Sequence, residues 1–550
     1  MTNKELADLM FPDVKHDINY YEELYPKRDL PEGAVVSRFA PSPTGFVHMG
    51  SLFASFIERK VPKETNGVFY LRIEDTDGKR SVENGVQGII DDLKNFEIEI
   101  DEGMISETEG KGNYGPYIQS QRKEIYNTYA KHLVEEGLAY PCFCTPEEID
   151  EIRKIQEINK ERIGYYGSYA KCRYLSNEER AERIKKGDPY IVRLKSPGDF
   201  NKKVILNDLV RGKIEFPEND LDIVLIKSDG LPLYHFAHVI DDHLMRTTHV
   251  LRGEEWISST PVHLQLFQVL GFEAPKYAHL GVIMKIDEDG TRRKLSKRKD
   301  PEAAVSYYHE QGIPVEAVKL YLMTIANSNF EGWWDQNPTL SYNDFKFDFK
   351  KMSVSGSLFD LEKLLNISRS YISRMKATEV YDKTLEWAKE FDNEFANILT
   401  KYKDYSIAIF NIEREQKKPR KDYESFSSIK KNVWYMYDEY FTGDLVYDFG
   451  KINDKKEIKS ILSTYISKYY NVNDDKETWF NKIKELSTEL GYCADMKEYK
   501  ANPDAYKGSV ADVSTVIRVA LTTSSQTPDL YELLRLIGKD RIEKRFSKFM

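Results

Sequence analysis

VVSRFAPSPTGFVHMGSLFASFIERK (35–60), with GVFYLRIEDTD (67–77) close behind it, decides the architecture. VVSRF is a short apolar run that reads as a buried strand, and GVFYLRI (67–73) reads as a second. Between them APSPTGFVHMGS (40–51) is a loop rich in turn formers, and SLFASFIERK (51–60) has helical spacing of apolar residues. Strand, loop, helix and strand in this order open a βαβ unit, and such a unit needs a parallel sheet. EDTD lies at the carboxyl end of the second strand. Helical patterns follow over 82–95 and 120–137, with Ser120 as the expected N-cap of the latter.

Further along, 140–225 breaks the rhythm with CFC, two charged helices and the strand-like YIVRLKS and KIEF, and reads as an insertion. The α/β pattern returns with DIVLIKSDGLPLYHFAHVIDDH (222–243), where SDG (228–230) suits a tight turn between strands. A helix over 258–270 ends at Gly271, and KYAHLGVIM (276–284) is another strand. DPEAAVSYYHEQG (300–312) predicts one helix with Asp300 at the N-cap, Pro301 at N1 and Gly312 at C′. Helical periodicity dominates from about 360. Residues 1–34 are polar and Pro-bearing and read as a short extension. The expected fold class is α/β: a Rossmann-like doubly wound parallel sheet with an α+β insertion, followed by an all-α C-terminal region.

The chain has 550 residues, 41% of them apolar, which supports several cores. Its formal net charge of -10 speaks against a general nucleic-acid coat, which needs excess Lys and Arg. The balance is uneven, since 371–550 carry 31 basic and 30 acidic side chains, so a polyanion partner is permitted there. Four cysteines are too few for a disulfide scaffold. The N-terminus lacks a signal-peptide core and no run reaches the roughly 20 apolar residues that span a bilayer, so a cytoplasmic protein is expected.

Two segments carry chemistry. In RFAPSPTGFVHMGS (38–51) the prolines and Gly45 turn the chain between strand and helix, and His48 and Gly50 sit where the helix begins. A helix N-terminus favours an anion, glycine lets it approach, and His48 can donate to a phosphate. The competing reading is a loop with one surface histidine. In RRKLSKRKDP (292–301) seven of ten residues are charged, and Lys294 and Lys297 flank the small Ser296. Such a lysine loop can close over a triphosphate and neutralise a leaving pyrophosphate. Taken alone it reads more often as a solvated basic turn before a helix.

Together, HMGS and KLSKR resemble the HIGH and KMSKS motifs of class I aminoacyl-tRNA synthetases. RFAPSPTG, LRIEDTD (71–77), YHFAH (234–238), DDHLM (241–245), LRGEEW (251–256) and KLSKR, in that order and spacing, resemble the glutamyl-tRNA synthetase family over roughly 35–330. The tail is similar only near TPDLYELLRLIGKDR (527–541). The resemblance implies an ATP-dependent ligase that joins L-glutamate to tRNA(Glu) through a glutamyl-adenylate, with Mg²⁺ on the phosphates. It also implies that bound tRNA is needed for the first step. His48, Lys294 and Lys297 would be catalytic; His48, Gly50, Ser51, Glu255 and Lys297 would bind ATP. The glutamate pocket would comprise Arg38 and Arg252 for the carboxylates, Glu74 for the ammonium, and Ala40, Ser42, Tyr234 and His238 as further lining. His238 departs from the Asn common in the family, and unlike Asn it can charge.

The implied domains are an extension (1–34), the catalytic domain in two parts (35–138 and 226–330) around an acceptor-end-binding insertion (139–225), a stem-contact region (331–400) and an anticodon-binding region (401–550). Relatives hold zinc in the insertion with C-x-C, a third Cys and a fourth donor. Here Cys142, Cys144 and Cys172 have only Tyr166, Tyr169 and Tyr174 as nearby candidates, a poor set, so buried cysteines in a small sheet are the favoured reading. In the tail Lys417, Lys418, Arg420, Lys421, Lys430 and Lys431 lie near Trp434, Tyr435 and Tyr437, which suits stacked anticodon bases as well as it suits a charged helix over core aromatics. Neither DNA nor a membrane is expected as partner, and a monomer is expected. The rival readings are an enzyme that also charges tRNA(Gln), a glutaminyl enzyme (disfavoured by Arg252), a tRNA-free nucleotidyltransferase and an inactive tRNA-binding paralogue.

Overall fold

The computed structural model describes residues 1–43, 47–77, 82–296 and 298–550. They form two units, Met1–Tyr307 with Lys319–Asp360, and Tyr308–Val318 with Leu361–Met550.

The first unit is built on the expected parallel sheet. Val36–Phe39, Val68–Leu71 and Glu102–Met104 are parallel neighbours, Arg38 lying opposite Tyr70, and Gly110–Lys111 closes that edge antiparallel. His249–Gly253 and Lys276–Leu280 form a second parallel pair. The two halves meet where Thr248 N donates to Val36 O (3.0 Å) and Val36 N donates to Thr248 Oγ1 (2.8 Å). The chain thus winds away from Val36–Phe39 to one side, and after the insertion it resumes on the other. That reversal opens a crevice at the carboxyl ends of the two central strands, where such sheets take their ligands. The helix Met49–Glu64 covers the sheet with Leu52, Phe53, Phe56 and Ile57, all buried.

The insertion holds an antiparallel sheet of Ala139–Cys142, Ile191–Leu194 and Val224–Ile226. It also holds a hairpin, Lys203–Asp208 with Gly212–Pro217. The hairpin turn is seated on the main sheet, Leu209 N donating to Tyr277 O (2.9 Å).

Several local expectations need correction. SDG makes a turn, with Gly230 at φ +78°, but only a single bridge residue, Pro232, follows before the helix Tyr234–Leu244 begins. Ser120 does not cap a helix. It lies in a 3-10 turn, Gln119–Arg122, and its N and Oγ donate to Asp75 (2.8 and 2.6 Å). The segment 300–312 splits into a turn, Pro301–Ala303, and a short helix, Ser306–Glu310. Asp300 does not cap it because its carboxylate is engaged by Arg293 and Ser296 N. The extension forms two helices, Asn3–Met10 and Ile18–Leu24, which bury Leu6, Ala7, Met10 and Tyr21. Glu22 ties it down through His243 (2.6 Å) and Arg246 (2.9 Å), and Arg28 pairs with Glu102 (2.8 Å).

In the second unit the described residues from Leu361 onward contain helices and no strand longer than a single bridge. Tyr435 and Tyr437 belong to its core, and Tyr437 donates to Ser406 Oγ (2.8 Å), so these two aromatics are structural. Lys430 pairs with Asp392 (2.9 Å), and Arg420 pairs with Asp422 and with Glu413 (3.6 Å). Lys417, Lys418, Lys421 and Lys431 remain exposed. No helix among the described residues is long and apolar enough to cross a membrane.

Candidate active site

A cleft of about 770 Å³ opens at the sheet reversal. Its walls include Arg38, Ala40, Ser42, His48, Gly50, Ser51, Glu74, Tyr234, Arg252, Glu255 and Lys294. The structure therefore gathers from five chain segments nearly every site residue expected from the sequence. Two stand apart. Lys297 lies outside the described residues. His238 is buried one turn into the helix Tyr234–Leu244 and does not reach the wall; its ring stacks under Tyr234 (centroids 5.5 Å, 17°). Of the two states open to it, burial favours the neutral one, pushing the imidazole down to about 3 although Nδ1 lies 3.0 Å from Asp242 Oδ2.

At one end of the cleft, His48 is the N-cap of Met49–Glu64 and its Nδ1 accepts from Ser51 N (3.1 Å). An Nδ1 that accepts leaves the proton on Nε2, which faces Ser51 Oγ at 3.2 Å and is a donor for an anion. Gly50 leaves room for that ring: a Cβ there would stand 3.1 Å from the His48 imidazole and the ring would have to shift. Opposite, Lys294 ends the strand Arg292–Lys294, exposed to the cleft and without an ion pair among the described residues. The base of its loop is clamped by Asp300, which accepts from Ser296 N (2.9 Å), Arg293 (2.6 and 2.8 Å) and Lys285 (3.2 Å). Hydrogen bonds from Arg293 chiefly hold the Asp300 carboxyl well below the usual range.

The other end is a buried pocket with two arginines of different character. Arg38 has acidic company, Asp242 Oδ1 at 3.3 Å and Glu58 Oε1 at 3.9 Å. Burial would raise the Asp242 carboxyl, but Arg38 and Arg72 hold it well below its ordinary value. Glu58 faces the opposite outcome: burial pushes it up to about 8 despite Arg38. Arg252 is 6% exposed and its partners are all neutral. Nε donates to His279 Nε2 (3.0 Å), Nη2 donates to Thr260 Oγ1 (2.9 Å), and Nη1 lies 3.0 Å from His263 Nδ1. No carboxylate among the described residues forms an ion pair with it. A buried cation surrounded only by dipoles keeps its attraction for an incoming anion. Between the arginines Tyr234, pushed up to about 12 by burial, keeps its proton as a donor and leans on Trp256 (centroids 4.3 Å). Glu74 closes the pocket, held by Arg72 Nη2 (3.0 Å) and by its own N–H to Pro41 O (3.0 Å). The cleft thus brings together two buried guanidiniums, a carboxylate and, at its other end, a helix N-terminus with an imidazole and a lysine.

Sequence reasoning missed Asp242, Glu58, Trp256, Thr260, His263 and His279. His279 had a readable signal, since it is the one polar side chain inside the apolar run YAHL.

In the insertion, the sulfurs of Cys142, Cys144 and Cys172 lie within 4.8 Å of one another. The hydroxyl nearest these sulfurs belongs to Tyr165, a residue the sequence reading passed over. Its hydroxyl is 3.2 Å from Cys144 Sγ and 3.5 Å from Cys142 Sγ. Tyr166 and Tyr169 bond to Arg162 O and Glu161 instead, and Tyr174 is exposed. Three thiols this close form a soft donor set, and the phenol beside them is the weak kind of fourth donor that the sequence also offered.

Comparison with known proteins agrees with this geometry. Residues 34–364 match the family described as tRNA synthetases class I (E and Q), catalytic domain, and 420–550 match an anticodon binding domain. The chain is 51% identical to a glutamate–tRNA ligase of Clostridium beijerinckii over the full length of both. It is 42% identical to one from Sorangium cellulosum, over 96% of this chain and 97% of that one. Among solved structures, a glutamate tRNA ligase from Elizabethkingia meningosepticum in complex with its amino acid superposes with TM-score 0.74. That pair shares 26% identity over 94% of this chain and 99% of the other.

Proposed function

The chain belongs to the class I (E and Q) tRNA synthetase family, and on that premise we propose that its cleft activates L-glutamate with ATP and hands the glutamyl group to tRNA(Glu). The observation that carries this reading is Arg252, a buried guanidinium without an acidic partner among the described residues, in one cleft with His48 and Lys294. A neutral amide in place of the substrate's side-chain carboxylate would leave that charge uncompensated, which favours glutamate over glutamine.

In the first step the α-carboxylate, already ionised, attacks the α-phosphate and pyrophosphate leaves. No general base is needed, so catalysis rests on positioning and charge stabilisation. His48 Nε2–H donates to the phosphate at the helix N-terminus, and Lys294, with Lys297, neutralises the leaving pyrophosphate. Arg38, Arg252 and Tyr234 hold the carboxylates and Glu74 the ammonium; Ala40 and Ser42 line the pocket, His238 supports Tyr234, and Gly50, Ser51 and Glu255 border the nucleotide. Asp77 and Glu255, exposed carboxylates of the cleft, would offer oxygen donors to the Mg²⁺ that accompanies ATP, which would neutralise phosphate charge. In the second step a ribose hydroxyl of the tRNA's terminal adenosine attacks the adenylate carbonyl and AMP leaves. The insertion guides the acceptor end, and the helical region 420–550 binds the anticodon.

ATP–pyrophosphate exchange is expected to depend on both glutamate and tRNA; exchange with glutamine but not glutamate ends the assignment. Charging of purified tRNA(Glu) and tRNA(Gln) decides whether the second is also a substrate. His48→Ala removes a transition-state donor and is expected to slow exchange roughly a hundredfold with little change in the KM for glutamate. Loss of less than threefold would remove His48 from the phosphate site.

Against the sequence expectation of purely buried cysteines, we propose zinc at Cys142, Cys144 and Cys172, with Tyr165 beside them, because the three sulfurs lie within 4.8 Å of one another; it would brace the small sheet of the insertion. Purified protein is expected to contain about one zinc per chain, and Cys144→Ser to lose it and melt earlier. Metal-free protein with an unchanged melting curve would return the cysteines to a purely apolar role.

A further inference from the structure

We propose that Asp208, on the inserted hairpin, is a positioning residue for the glutamate pocket: it sets the His279 tautomer that aims Arg252. This rests on the reading that Arg252 meets a substrate carboxylate. Asp208 ends the strand Lys203–Asp208 and is 4% exposed. Oδ1 accepts from Val210 N and Arg211 N (both 2.9 Å), while Oδ2 accepts from His279 N (3.0 Å) and His279 Nδ1 (2.7 Å). Four donors surround a group that can only accept.

The consequence passes through His279. Burial holds this ring below its ordinary value, so it is neutral and carries one N–H. Asp208 requires that proton on Nδ1. Nε2 therefore presents a lone pair, and Arg252 Nε, which can only donate, fills it at 3.0 Å. The far side follows the same logic. Arg252 Nη1 needs a lone pair on His263 Nδ1, so His263 Nε2–H points to His235 Nδ1 (2.8 Å). Neutral acceptors thus orient the guanidinium on both flanks without cancelling its charge.

The hairpin is fastened independently of this relay. Leu209 N donates to Tyr277 O, Arg211 Nε donates to His279 O (3.2 Å), and Arg211 also pairs with Glu254. Asp208→Asn therefore leaves the hairpin docked but turns an NH₂ toward two N–H donors, whichever way the amide sits. With the amide NH₂ toward His279, the ring takes the other tautomer and sets Nε2–H against Arg252 Nε–H. The insertion, which the proposed function places at the acceptor end of the tRNA, becomes a direct determinant of amino-acid affinity.

The test measures glutamate- and ATP-dependence of exchange with saturating tRNA, together with melting temperature. Asp208→Asn is expected to raise the KM for glutamate about ten- to a hundredfold while the KM for ATP stays within about twofold. His279→Gln, which keeps an acceptor oxygen near the place of Nε2, is expected within about fivefold of the parent, and His279→Leu is expected to match Asp208→Asn. Should Asp208→Asn fail to fold, the His279 pair decides. Equal behaviour of His279→Gln and His279→Leu, or a loss in Asp208→Asn that falls alike on glutamate and ATP, overturns the proposal. Arg252→Gln in the same assay separates the two claims: no change there removes Arg252 from the pocket, whereas a large change there with normal Asp208→Asn removes only the relay.

Discussion

Arg252→Gln is expected to lower kcat/KM for glutamate by two to three orders of magnitude without lowering the melting temperature. Glutamine keeps donors for its neighbours but brings no charge, and losing one member of a buried charged contact costs about 3–4 kcal/mol. At 1.36 kcal/mol per decade that is roughly a 100- to 1000-fold loss. The stability half of the expectation is the more diagnostic. A structural salt bridge would destabilise the fold when broken, but Arg252 is held by Thr260, His263 and His279, none of them charged. Removing an uncompensated buried cation leaves stability equal or higher. ATP–pyrophosphate exchange and a thermal melt on one preparation settle both halves. An exchange rate within threefold of the parent, or a strong loss of stability, would sink the idea.

Glu58→Gln is expected to flatten the pH dependence of stability between about pH 5 and 8. Glu58 is 3% exposed, its Oε2 has no hydrogen-bond partner, and burial pushes its carboxyl from 4.5 up to about 8. The native state therefore holds a proton that the unfolded chain has released. Stability from this group is complete below the unfolded value, falls as pH rises through the window between 4.5 and 8, and is fully lost above it. The difference amounts to roughly 3–5 kcal/mol. Glu58→Gln, always neutral, should match the parent near pH 5 and exceed it above pH 8. Denaturant titrations at pH 5.5 and 8.5 measure this, and parallel losses in parent and variant would show that Glu58 is ionised throughout. A protonated Glu58 also explains how Arg38 retains charge for a substrate while flanked by two acids, since only Asp242 then competes for it.

The sheet and the phosphate end were legible because their determinants are local. A strand, a turn-rich loop and a helix start are written in consecutive residues, and the N-cap geometry of His48 with Gly50 needs only three positions. Arg38, Glu74, Tyr234 and Arg252 came from resemblance, and the fold brings them to one cleft. What failed depends on distant partners. The role of Asp208 exists only because His279, 71 positions later, returns to it. The charge state of His238 is set by burial under Tyr234 rather than by its own chemistry. Tyr165 was passed over for neighbours with no better claim in sequence, and Asp300 left its expected cap because Arg293 competes for the carboxylate. The tail's Tyr435 and Tyr437 could not be assigned, because an aromatic that stacks on a base and one that fills a core look alike until burial is known.

The seam between Val36 and Thr248 bears on how the chain is made. The 212 positions between them mean that, during synthesis, Val36 stays uncovered on that side until Thr248 and the strand after it have been translated. At about 5–20 residues per second this lasts on the order of 10–40 seconds. Throughout that interval Val36 offers a bare amide and carbonyl to any other unfinished polypeptide. The ribosome-bound N-terminal half is thus the form most exposed to aggregation, and slowed translation between the two halves should lower the yield of folded enzyme more than the same pause placed after residue 280.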